Sequence, residues 1–95
     1  MITYDDELLR QAIRQFGTVT QALVAVEEMS ELQKEILKSV NRGQNNRTHI
    51  LEELVDVLIM LRQLVFIYGN TYSEIQEIVD KKQERLKGYL NEKMH

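Results

Sequence analysis

The chain contains no cysteine, no proline and no tryptophan. Without cysteine there are no disulfides and no thiolate metal sites, and the composition suits a reducing cytoplasm, where we expect the protein to reside. Without proline, even in the turns, long helices can run uninterrupted. No apolar run is long enough to span a membrane, so none is expected to do so. The opening residues, Met1 to Asp6, are polar and acidic and do not read as a secretory signal. Charge of one sign is lacking too: acidic and basic residues are mixed along the chain and the formal net charge is only −3. With no basic stripe and no aromatic platform, a nucleic-acid polymer is not an expected partner. A small nucleotide stays compatible, because metal ions neutralise phosphate locally.

What is present reads as helix. The 95 residues suggest a single domain over 1–95. Thr3 is placed to cap a helix of roughly residues 4–16, with Asp5, Asp6 and Glu7 in its first turn and Gly17 just past its end. Thr18 with Gln21 has the form of a capping box for a second helix, roughly 19–40. Residues 41–47 have turn composition and read as a loop. Thr48 is the expected cap of a third helix ending at about Tyr68, before Gly69. Thr71 with Glu74 forms another capping box, opening a fourth helix of roughly 72–91. The expected fold is all-α, a four-helix bundle-type protomer.

The third helix is apolar nearly all round. Val57, Met60 and Leu64 share one face, and Leu54, Leu58, Leu61 and Val65 another. Val55, Ile59 and Phe66 cover much of the rest, leaving Glu52, Arg62 and Gln63 as a narrow polar edge. Such a helix asks to be buried nearly all round, and so small a chain can hardly supply the cover. The bundle is therefore expected to be completed by oligomerisation.

Glu53 and Asp56 stand on this apolar helix, three residues apart and so on one side of it. Unpaired carboxylates in an apolar layer cost several kcal/mol each, unless cations or protons compensate them. The second helix offers a matching set. Its stripe of Ala22, Ala25, Met29, Leu32 and Ile36 is bordered by Glu28, Glu31 and Glu35. Leu23, Val26 and Leu37 make a separate apolar patch that again suggests a partner. Antiparallel packing of the two helices brings Glu28, Glu31, Glu53 and Asp56 toward one cavity. An all-oxygen donor set suits Mg²⁺ or Mn²⁺. A di-iron bundle wants Glu-x-x-His pairs on two helices, and the sequence holds one alone, Glu92-x-x-His95.

On the fourth helix Ile75, Ile78, Leu86 and Tyr89 form the inner stripe, with Lys82 and Arg85 inside it. Their stems can lie on apolar neighbours while their charged ends either bind phosphate oxygens or pair with the carboxylates. Gln21 can either touch a base or sugar, or serve its capping box. Asn41, Arg42 and Arg47 in the loop can reach a triphosphate tail or simply face solvent.

Glu27-Glu28-Met29-Ser30-Glu31, then twenty-one residues, then Glu53-Leu54-Val55-Asp56 resembles the EExxE and ExxD motifs of the MazG-like all-α nucleoside triphosphate pyrophosphohydrolase superfamily. The similarity runs from about Phe16 to Leu86. The late Lys82-x-x-Arg85 also looks like compact single-domain members from bacteria and phages. The resemblance implies that Glu28, Glu31, Glu53 and Asp56 bind Mg²⁺, with Mn²⁺ an alternative; in the mechanism we expect, Glu31 either accepts a proton from the attacking water or only ligates metal. It implies that Lys82 and Arg85 contact phosphate. The implied reaction is hydrolysis of NTP or dNTP to the monophosphate and pyrophosphate, in a homodimer or homotetramer, as nucleotide-pool house-cleaning. Many relatives place tryptophan or histidine around the base; this chain has no tryptophan, which leaves the base open. Two other readings compete: a helical dimerisation module without catalysis, and a sensor that binds nucleotide or metal without turnover.

Overall fold

The computed structural model describes residues 2–93; Met1, Met94 and His95 lie outside them. Helices α1 (Asp6–Phe16), α2 (Thr18–Arg42), α3 (Arg47–Tyr68) and α4 (Tyr72–Lys93) make an all-helical chain, with no strand among the described residues. None of them is long and apolar enough to cross a membrane.

The helix ends follow local chemistry, though not always the residues expected. Asp5, not Thr3, caps α1: its Oδ1 accepts the Leu8 N–H at 3.1 Å. A carboxylate is the stronger acceptor at the positive end of a helix. The box expected from Thr18 and Gln21 does not form, because Thr18 is already helical and Gly17 is the boundary. Gly17 has φ 95° and ends α1 while its carbonyl accepts the Gln21 N–H that opens α2. A one-residue link of this kind needs the left-handed region that glycine enters freely. Asn46, not Thr48, precedes α3. At α4 the expected box is present: Glu74 Oε1 accepts the Thr71 N–H at 3.0 Å, and Thr71 Oγ1 accepts the Glu74 N–H at 3.2 Å.

Helices α1, α2 and α3 pack together. The main contact is α2 against α3, with α1 laid across both. The core is small: Leu9, Ala25, Val57 and Met60 are buried, together with Gln21 and Gln63. A bidentate pair ties α1 to α3, Arg62 Nη2 donating to Asp6 Oδ2 at 2.9 Å and Nε to Oδ1 at 3.1 Å. The same guanidinium lies 5.7 Å from the centre of the Tyr4 ring and 5.0 Å from that of Phe66.

Among the described residues, helix α4 packs against no other helix. It extends from the body, and the molecule measures 53 Å along its longest axis. Its expected inner stripe is consequently open: Ile78, Leu86 and Tyr89 are exposed, and Ile75 is only half-buried. Nor is α3 covered on every side. With α2 on one flank and α1 on another, its third side leaves Leu51, Leu54 and Leu61 facing outward.

Gln21 and Gln63 lie in this core, and Gln21 Nε2 donates to Gln63 Oε1 at 2.7 Å. Replacing Gln63 by leucine strands the buried amide of Gln21. Urea unfolding is expected to show a loss of about 1–3 kcal/mol. The double variant Gln21→Leu/Gln63→Leu is expected to recover part of that loss, since neither amide then lacks a partner.

Candidate metal centre

Two polar clasps set the register of α2 on α3. Near the start of α2, Gln21 meets Gln63 near the end of α3. Toward the other end, Asn46 Nδ2 donates to the Glu35 carbonyl at 2.9 Å and to its Oε2 at 2.7 Å. The helices run antiparallel between these points, so midway along α2 Glu28 stands level with Glu53 and Asp56 on α3.

The carboxylates do meet there. One oxygen from each of Glu28, Glu53 and Asp56 can be chosen so that all lie within 4.8 Å of one another. Glu28 and Glu53 are half-buried and Asp56 is exposed, so Asp56 forms the open rim, not part of an apolar layer. Among the described residues, no lysine or arginine pairs with any of the three. The electrostatic result is visible at Glu28. Its carboxyl is pushed above its ordinary pKa, first by burial and then by the charges of Asp56, Glu53, Glu31 and Glu27.

The other expected residues are placed differently. Glu31 follows Glu28 by three residues, which turns it about 60° round the helix, and it is exposed outside the three-residue group. Gln21 is engaged with Gln63 and serves neither a cap nor an open pocket. Lys82 and Arg85 are exposed on α4, which nothing in this chain brings to the carboxylates. Glu35 belongs to the loop clasp, where the Asn46 amide and then Lys38, whose Nζ lies 3.1 Å from Oε1, hold its carboxyl below the usual range.

Sequence reasoning missed Asn46 and the buried side of Gln63. Gln63 looked like part of a polar edge, and its signal was a second glutamine placed to face it from α2. Asn46 sat in a run of loop-forming residues with nothing to single it out. Its Oδ1 is buried without a hydrogen-bond partner among the described residues.

The donor set fits a hard divalent cation. All three groups are carboxylates, two are partly shielded from water, and the third leaves an open side where a phosphate can approach. Such an ion relieves the repulsion that raises Glu28.

The pH dependence follows from sign. Glu28 binds its proton more tightly folded than unfolded, so stability falls as pH rises through its raised pKa and returns on acidification. Asp6 is held below its ordinary value, mainly by its hydrogen bond to Arg62, and acts oppositely: its contribution is lost as pH falls through that lowered pKa. Thermal unfolding in chelator is therefore expected to show a midpoint that climbs from neutral pH into the mildly acidic range and then drops. Glu28→Gln is expected to flatten the climb and keep the drop.

No family model, no curated protein and no solved structure matches this chain.

Proposed function

We propose that the protein is a Mg²⁺-dependent nucleoside triphosphate pyrophosphohydrolase, acting on NTP or dNTP to give the monophosphate and pyrophosphate. The observation that carries the reading is the convergence of Glu28, Glu53 and Asp56 without a basic partner. Carboxylates held together at a cost to the chain have a use for a divalent ion. The EExxE and ExxD motifs supply the substrate class by resemblance.

In this reading Glu28, Glu53 and Asp56 hold the ion. Mg²⁺, when bound, neutralises phosphate charge and makes an attacking water more acidic. Glu31, exposed beside the group, accepts the proton of a water directed at the α-phosphorus. Lys82 and Arg85 neutralise the departing pyrophosphate, and because α4 stands away from the carboxylates they do so from a rearranged arm or from another subunit. Assembly as a homodimer or homotetramer belongs to the same proposal.

One observation favours a second reading. Exposed apolar side chains on α2, α3 and α4 suit a helical module whose only task is association. Magnesium separates the two. Millimolar Mg²⁺ is expected to raise the thermal midpoint of the enzyme and to leave a plain association module unchanged.

Activity gives the decisive measurement. Incubating the protein with a panel of NTPs and dNTPs and Mg²⁺ is expected to release pyrophosphate. Glu53→Gln and Asp56→Asn are each expected to slow that release roughly hundredfold or more. Full activity in both variants removes these residues from the reaction. Tight nucleotide binding with no release across the whole panel makes the protein a sensor.

A further inference from the structure

Helix α2 carries a second pattern on the side turned away from the core. Val19, Leu23, Val26, Ser30, Gln33, Leu37 and Val40 follow one another at alternating spacings of four and three. That is the repeat of a coiled-coil seam, with Leu23, Ser30 and Leu37 at one core position and Val19, Val26, Gln33 and Val40 at the other. Every residue of the seam is exposed, while the buried Gln21 and Ala25 mark the opposite face, toward α1 and α3.

We propose that this seam pairs with the same seam of a second copy of the chain, antiparallel, about a two-fold axis passing between Glu31 and Leu32. In that register Leu23 meets Val40 of the second copy and Val26 meets Leu37, while Ser30 meets Gln33. These apolar layers face apolar layers, the polar layers coincide beside the axis, and Val19 falls past Arg42, the end of α2, in the second copy. Polar groups in an otherwise apolar seam set register, because any slip buries them against hydrocarbon.

The charges at the seam's edge select the direction. Glu27 and Lys34 occupy equivalent edge positions one heptad apart. Neither forms an ion pair within the chain among the described residues. Antiparallel pairing sets Glu27 beside Lys34 of the second copy, and the two-fold axis makes that contact twice. Parallel pairing sets Glu27 beside Ala22 and Lys34 beside Met29, leaving both charges unmatched. Near one end of the seam, a shallow hollow of about 300 Å³ lined by Lys34, Leu37, Lys38, Asn41 and Arg42 lies where Val26 of the second copy arrives. A partner that fits this face needs a polar centre and mirrored charges, and the chain itself has both. The seam lies about half a turn round α2 from Glu28, so the pairing leaves the carboxylates open; it gives a surface and a direction to the assembly proposed above, and its loss leaves the hydrolytic chemistry to be judged by pyrophosphate release.

Light scattering measures the assembly. The wild-type mass is expected to be an even multiple of 11.2 kDa at tens of micromolar, and Leu37→Glu, a change at an exposed position, is expected to halve it with helical circular dichroism retained. Glu27→Lys and Lys34→Glu are each expected to raise the dissociation constant several-fold, and the two together to restore it. Direction is read by cysteine, since the chain has none of its own. A mixture of Leu23→Cys and Val40→Cys chains is expected to crosslink on oxidation. Leu23→Cys alone is expected not to, because antiparallel pairing holds its two copies about 25 Å apart. A monomeric wild type overturns the proposal. So does a mass that Leu37→Glu leaves unchanged while Leu54→Glu on α3 lowers it. A combined charge variant weaker than either single one, or efficient crosslinking of Leu23→Cys alone, overturns it as well.

Discussion

The packing of α2 on α3 depends on buried amides as much as on apolar contact. Gln21 on Gln63 and Asn46 on Glu35 are directional bonds, and each has one geometry in which its donors are satisfied. Hydrophobic contact alone tolerates sliding of one helix along another, since one leucine serves nearly as well as the next. Two clasps some distance apart along the same pair of helices remove that freedom. Glu28, Glu53 and Asp56 meet because the register between the clasps puts them level, despite their mutual repulsion.

That arrangement divides the labour among polar groups. Asp6 and Glu35 have donors close by, and both carboxyls sit below their ordinary pKa. Glu28 is partly buried, with other carboxylates for neighbours, and is displaced the other way. The chain has 12 lysines and arginines against 15 aspartates and glutamates, and among the described residues it places none of those cations against this group. Stability and site therefore pull in opposite directions within a few turns of the same two helices. A small core, with Leu9, Ala25, Val57 and Met60 at its centre, has little margin to absorb the difference.

The existence and order of the four helices were legible from spacing and turn residues. Their starts were less so. Thr3, Thr18 and Thr48 are all good capping residues, and each lost to a neighbour: Asp5 with its full charge, Gly17 with its left-handed backbone, and Asn46 at the loop. The three converging carboxylates could be read because i, i+3 spacing on facing helices is a geometric statement. Glu31 has the same spacing from Glu28, yet three residues fall short of a full turn, and the shortfall carries it out to solvent. For α4 the periodicity named an inner stripe that the structure leaves open, because an amphipathic pattern names a face and not its neighbour. Gln63 and Asn46 were hidden for a related reason: a polar residue gives no sign of whether its partner is water or another side chain.

The link into α4 has a mechanical meaning. Gly69 stops α3 with φ 68°, and the Thr71–Glu74 box restarts the chain two residues later, so the junction is short and bonded at both ends. Beyond it the arm is one unbroken rod. Its azimuth is thus a matter of counting: one residue added within its first turns swings Lys82 and Arg85 through about 100° about the rod's own axis, with the three-helix body undisturbed. Whatever those two cations face, the number of residues between them and Thr71 governs it more strictly than the identity of any residue in between.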